Sequence, residues 1–352
     1  MPLRPELVAF RERHNPPAAA GALVDRDGLV EACHLGVRVR GGADPVRPDD
    51  AWHIGSCGKA ITALLYARLV ERGDAAWGAA LPELLPDLAG GMDPGWAAIT
   101  IDDVFVSRSG LPANLTRSQM LAAWEDPRPL PDQRTEVAAR ALAAPSRCPG
   151  RFVYSNLGYV VIGAAIERVT GLPYEEALAR HVLEPLGAAS AGFGPPDGPW
   201  GHGGRMLALG PLGLVDLARG APADPASARS DNPPVLGPAG RLHLTVADWA
   251  AIQRVFLADG DGFLAPASVR RLLTPATGRG QRHAPGWAPA DSLGDASFAQ
   301  QGSNTYWTAT AVMNRARTRT ALVVVNEGRA RLLRTTPALA LRLLGAGDLP
   351  VG

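Results

Sequence analysis

The chain has 352 residues, 46% of them apolar and 20% charged, which supplies a sizeable core and excludes a disordered protein. Its 35 basic and 34 acidic residues leave a net charge of +1, which gives no electrostatic footprint for nucleic acid or an anionic membrane. No apolar run reaches the ~18 residues of a transmembrane helix, and at about 150 residues per domain the length implies two domains or one fold with two lobes.

Residues Met1 to Asn15 are charged and lack the apolar stretch of a secretory signal, so a cytoplasmic protein is expected. Pro5 to Arg13 has the character of a short helix. Ala19 to Val24 reads as a strand, Asp25-Arg26-Asp27-Gly28 as a turn, and Leu29 to Arg40 as a second strand. An Asp-Gly pair between two extended apolar runs is a hairpin signal. A helix should begin near Ser56, because Ile61, Leu64, Leu65 and Leu69 recur at helical spacing and Gly73 closes the run. Thr100 to Asp103 has the form of a capping box, ahead of a short helix expected to stop at Gly110. A further helix opens at Asn156 or Leu157, carries Val160, Val161, Ala164, Ala165 and Val169 on its apolar face, and ends at Gly171. Thr245 to Asp248 starts another.

Gly192 to Gly240 is rich in Pro and Gly and too long for a plain connection, so it is expected to form a cleft wall. Strand character returns at Thr305 to Met313 and Thr320 to Val325, and Arg329 to Leu344 reads as a final helix. The predicted class is α+β, with an antiparallel sheet from the chain termini, flanking helices and an inserted, mainly helical lobe. The expected division is 1–55 with 285–352 for the sheet lobe and 56–284 for the helical lobe, the latter containing the irregular cleft-forming segment 192–240. A cleft between lobes suits a small molecule.

One composition detail directs attention to a site: 34 of the basic residues are Arg, and the only Lys is Lys59, three residues after Ser56. If Ser56 opens a helix, the two side chains share a face one turn apart. A serine hydroxyl is a weak nucleophile until a base removes its proton, and an amine can do so once its environment disfavours the charged form. A serine cap followed by a surface lysine would give the same pattern. Tyr154-Ser155-Asn156 opens another helix. There a phenol could relay a proton and an amide could hold the lysine, although a turn and cap would read alike. Gln300-Gln301-Gly302-Ser303-Asn304 precedes the strand at Thr305, where a glycine ahead of an edge strand lets a ligand approach the backbone, although an ordinary polar turn into a strand would read alike.

Together these pieces resemble the serine β-lactamase and penicillin-binding protein superfamily. The Tyr-Ser-Asn form of the second piece resembles its class C β-lactamase branch, with the related esterases and D-aminopeptidases. Ser107-Arg108-Ser109-Gly110-Leu111-Pro112 resembles that family's "H-x-SGLP" turn, and Leu236 to Gly240 resembles its "PAG" segment. The resemblance implies that Ser56 is the acylated nucleophile and that Lys59 and Tyr154 share base and acid work. It also implies that Asn156 orients Lys59 and touches substrate. The Ser56 and Ser303 N–H groups would hold the oxyanion, with Gln300 and Gly302 at the substrate.

The third motif departs from the family's Lys-Thr-Gly, and no other lysine replaces the missing cation. Penicillins and peptides ending in a free carboxylate should therefore bind poorly, unless an arginine such as Arg282 substitutes. The expected function is a serine hydrolase, most of all a carboxylesterase, acting on an uncharged ester or amide. Three other readings remain open: an acyltransferase or peptide-tailoring enzyme, a β-lactamase or D-amino-acid peptidase, and a non-catalytic binding protein on the same scaffold. No cofactor is implied, and the seven histidines show no metal-ligand spacing. His53 and His202 are expected to be packed or surface residues. Cys33, Cys57 and Cys148 are read as free thiols, with Cys57 as buried filler.

Overall fold

A computed structural model describes residues 2–208 and 214–345. The Gly192–Gly240 expectation therefore lies partly, at 209–213, and the terminal-lobe expectation partly, at 346–352, outside the described residues. The chain opens with helix α1 (Leu3–His14), then strands β1 (Ala18–Asp25) and β2 (Gly28–Gly36). The Asp25 carboxylate accepts from the Asp27 and Gly28 N–H groups and closes the hairpin. The long middle of the chain includes helices α2 (Gly58–Glu71), α3 (Leu130–Leu142), α4 (Asn156–Thr170) and α5 (Val246–Leu257). The C-terminal part supplies β3 (Ala288–Pro289), β4 (Ala296–Ser303), β5 (Thr308–Asn314), β6 (Arg319–Val325) and helix α6 (Ala330–Leu343). The six strands form one antiparallel sheet in the order β2-β1-β6-β5-β4-β3. The termini thus pair with each other, as the α+β reading anticipates.

Strand alternation explains why the central strands are so apolar. In β1, Ala18, Ala20, Ala22 and Val24 join the core beneath the helical lobe, while Ala19 and Leu23 join the core under α1 and α6. β1 is buried on both faces up to Val24, so Ala18–Val24 is apolar at every position.

Element ends differ from expectation where the backbone turns left-handed. The second strand stops at Gly36 rather than Arg40, because Gly36 has φ +100° and a Cβ there would lie 2.1 Å from the Pro17 carbonyl oxygen. The helix after Thr100 covers only Ile101–Phe105, and Ser107, at φ +57°, turns the chain before Gly110. Strand β5 begins at Thr308, because Asn304 and Thr305 form the preceding turn. The Asn304 Oδ1 accepts from the Tyr306 and Trp307 N–H groups, and Thr305 has φ +75°.

The capping signals read in the sequence are present. Thr100 caps its helix reciprocally with Asp103, Ser155 accepts from the Gly158 N–H at 2.8 Å, and Gly171 ends α4 at φ +68°. Between α3 and α4 Arg134 is fully buried, paired with Glu167 and Glu175, and its Nε donates to the Val235 carbonyl at 3.2 Å. This anchors the backbone that leads into Pro238, Ala239 and Gly240. No helix among the described residues is long and apolar enough to cross a membrane.

Candidate active site

The nucleophile turn starts as a short strand, Trp52–His53, and tightens into a 3-10 turn at Gly55–Cys57 before α2 begins. The helix thus starts one short turn later than Ser56, but the one-turn spacing still holds. The Lys59 Nζ lies 3.0 Å from the Ser56 Oγ and 2.7 Å from the Asn156 Oδ1, and it also bonds the Ala239 carbonyl oxygen. Lys59 is buried and, among the described residues, joins no ion pair. All three acceptors are uncharged. Asn156 and Ala239 thus hold Nζ from one side, and the Ser56 hydroxyl lies within hydrogen-bond reach of it. The Tyr154 and Tyr159 rings flank Nζ at 5.0 and 5.1 Å.

Each partner of Lys59 is itself fixed. The Asn156 Nδ2 donates to the Asn114 Oδ1 at 2.6 Å, which turns the amide oxygen toward Lys59. The Asn156 N–H bonds the Ala113 carbonyl at 2.8 Å, and the Ser155 hydroxyl donates to the Pro112 carbonyl at 2.6 Å. The Ser-Gly-Leu-Pro turn is therefore the cradle of the second motif. Arg108, in the same turn, donates to the carbonyls of Gly150, Arg279 and Gln281 and so ties down the segment that carries His283.

The third motif occupies a different place from the polar turn expected of it. Gln300, Gln301, Gly302 and Ser303 form the end of β4, and β4 is an internal strand. Its outer neighbour β3 pairs only with Phe298 and Ala299, and the next residues, Gln300 and Gln301, border a cavity. Gly302 allows this strand to touch the nucleophile turn. A Cβ there would lie 2.0 Å from the Ile54 carbonyl oxygen and 2.7 Å from the Ser56 nitrogen. Gly55, at φ +52°, makes the reciprocal approach, and a Cβ on it would lie 2.6 Å from the Ser303 nitrogen. The Ser56 and Ser303 amides thus meet at one junction.

A buried carboxylate holds both sides of that junction. The Gly55 N–H donates to the His53 Nδ1 at 3.1 Å, so the His53 Nε2–H faces the Asp231 Oδ2, also at 3.1 Å. The Asn304 Nδ2 donates to the Asp231 Oδ1 at 2.8 Å, and the Arg241 Nε reaches Oδ2 at 3.2 Å. Burial works against charge on Asp231, but His53, Arg241 and these hydrogen bonds outweigh it and hold the carboxyl below its usual range. Sequence reading took His53 and His202 as packed or surface residues; both are buried, and His53 supports the nucleophile turn. It missed Asp231, whose partners His53 and Asn304 are 178 and 73 positions away.

Beside Ser56 and Lys59 lies a cavity of ≈ 320 Å³ walled by Phe152, Tyr154, His283, Ala288, Ala299 and Gln300, among others. Apart from Lys59 its walls carry no cation. Arg282 does not line it and instead faces Asp291, at 3.7 Å, on the surface. Among the described residues of the irregular segment 192–240, none lines this cavity. The segment reaches the site from behind, through Asp231 and Ala239. Cys57 is fully buried, and burial pushes its thiol up, which suits filler rather than chemistry. All three cysteines are free.

Burial, together with the Lys59 charge, lowers His283 to about 4, so it presents a neutral imidazole to the cavity. An unfolded histidine takes a proton near pH 6.5, whereas this one resists until about pH 4. Its contribution to stability is complete above pH 6.5 and is lost as the pH falls toward 4. His283→Gln should therefore unfold with a shallower pH dependence between pH 4 and 6.5 than wild type, measured by urea midpoints. Equal slopes would contradict the assignment.

The profile of the Beta-lactamase family matches residues 5–343. The chain belongs to this family. Among its relatives in the Beta-lactamase family is penicillin-binding protein 4 of Amycolatopsis lactamdurans, 28% identical over 75% of this chain and 65% of that protein. Esterase EstB of Burkholderia gladioli is 35% identical over 53% of this chain and 49% of its own length. The chain thus spans between half and two-thirds of these curated relatives. Among solved structures, a class C beta-lactamase from Rhodobacter sphaeroides superposes with a TM-score of 0.74 at 17% identity, covering 97% of this chain and 99% of that one. At that identity the likeness supports the β-lactamase-like fold alone.

Proposed function

We propose that this member of the family is a serine hydrolase that forms an acyl-enzyme on Ser56, with carboxylesterase action on uncharged esters or amides. The observation that carries the reading is the buried Lys59 Nζ, 3.0 Å from the Ser56 hydroxyl, with only uncharged oxygens as its other hydrogen-bond partners. In acylation, Lys59 takes the hydroxyl proton while Ser56 Oγ bonds the substrate carbonyl carbon. The carbonyl π electrons move to oxygen, and the Ser56 and Ser303 N–H groups stabilise that anion. Collapse breaks the bond to the leaving group, which departs with a proton relayed by Lys59 and Tyr154. A water molecule then repeats the sequence on the acyl-enzyme, releasing the acid and restoring Ser56.

A cavity wall with no cation besides the Lys59 held beside Ser56 favours an ester reading over one that requires a substrate carboxylate, and the similarity to an esterase supports it. Hydrolysis of neutral para-nitrophenyl esters should depend on Ser56. It should exceed that of nitrocefin or a D-Ala-D-Ala peptide by about tenfold or more in kcat/KM, the worth of one charge-assisted hydrogen bond. Comparable rates on the carboxylate substrates would overturn the ester assignment.

A further inference from the structure

Gln300 is 4% exposed, lines the cavity beside Ser56 and Lys59, and has both its amide nitrogen and its amide oxygen buried without a hydrogen-bond partner. Buried polar groups in folded proteins are almost always paired, so two unmet atoms on one side chain need an explanation. The neighbouring Gln301 uses its own amide on the Leu333 carbonyl, on the α6 side of the sheet. The alternation of β4 turns Gln300 the other way, into the cavity. Around it stand Phe152, Ala288 and Ala299, and the imidazole of His283, which stacks on Phe152 at 5.6 Å.

An unpaired carboxamide offers one donor and one acceptor side by side. A carboxylate partner would satisfy only the donor and leave the Gln300 amide oxygen unmet. A hydrocarbon would satisfy neither atom. A primary carboxamide, or the cis amide of a lactam, presents an N–H and a C=O on the same edge and pairs with both at once. We infer that Gln300 is a specificity-determining residue that reads a neutral primary carboxamide, or an equivalent cis amide, on the substrate of the Ser56 site. The inference rests on the proposed hydrolase reading and adds the chemistry of the recognised group.

The test uses para-nitrophenyl esters of dicarboxylic acid monoamides of increasing chain length. Each is matched with the corresponding free monoacid and with an isopropyl isostere of the amide. At the best chain length, wild type should prefer the carboxamide to both analogues by about tenfold or more in kcat/KM, because the analogues leave Gln300 atoms unpaired. In Gln300→Leu the carboxamide-to-isopropyl ratio should fall to near one. In Gln300→Lys the preference should move to the free acid, a gain that misfolding cannot produce. Equal rates on all three esters in wild type would overturn the inference and leave the hydrolase reading intact. If wild type hydrolyses none of them, the hydrolase reading fails. Calorimetric binding of the methyl ester analogues to Ser56→Ala then decides the inference alone: tighter binding of the carboxamide, lost with Gln300→Leu in that background, supports it, and indifference overturns it.

Discussion

Lys59→Met should lower kcat/KM for a neutral ester by about 10³-fold or more while the protein stays folded. The rate loss follows from removing the one group within 3.0 Å of the Ser56 Oγ that can accept its proton. The stability outcome follows from opposing effects. Met keeps the volume of the buried side chain and removes an amine that no carboxylate compensates. It also strips a donor from the Asn156 Oδ1 and the Ala239 carbonyl, at about 1–3 kcal/mol for each acceptor left unmet. These effects largely offset, so the melting temperature should move by a few degrees only. Stopped-flow acylation alongside thermal unfolding checks both. A folded Lys59→Met with near wild-type acylation would show that another group takes the proton.

Asp231→Ala should damage stability and turnover together, for a reason distinct from proton transfer. Four donors face this buried carboxylate: the His53 Nε2, the Asn304 Nδ2, the Arg241 Nε and the Asn232 N–H. Removing it leaves the Arg241 charge and the other donors unmet, at a cost of about 3–5 kcal/mol. It also frees His53, which holds the Gly55 N–H, and Asn304, which follows Ser303. Both amides of the proposed oxyanion site then lose their alignment, and kcat should fall by about 10²-fold at temperatures where the variant is still folded. Asp231 is a positioning residue in this account, so KM should change little while kcat falls. Asp231→Asn, which keeps the size and an acceptor, should recover part of the loss. Instability with unchanged kcat in the folded fraction would reduce Asp231 to a structural role.

The parts of this molecule that were legible in the sequence are those with local physical signals. The Asp-Gly hairpin, the Thr100 and Ser155 caps and the Gly171 stop all depend on a few adjacent residues, and each stands where its signal lies. The Ser56–Lys59 pair was legible because a helical turn fixes the distance. The third motif was harder. Gln300-Gln301-Gly302 has no apolar alternation, so it reads as a turn, yet the ladder with β5 makes it a strand. The supports of the site were hidden for a different reason. Asp231 and Asn114 act through contacts with His53 and Asn156 across long stretches of chain, and neither residue has a local pattern. Asn114 lies two residues beyond the Ser-Gly-Leu-Pro turn, and the docking of that turn on α4 was the one clue to it. The unmet amide of Gln300 could not be read at all without the burial that creates it.

The central claim is that Lys59 activates Ser56, and the most direct measurement is intact mass after treatment with a fluorophosphonate. Wild type should gain a single phosphonyl adduct with loss of fluoride. Ser56→Ala should gain none, and Lys59→Met should gain it far more slowly. Unlabelled but folded wild type, with a small fluorophosphonate also failing, would contradict the claim, as would an adduct that persists in Ser56→Ala.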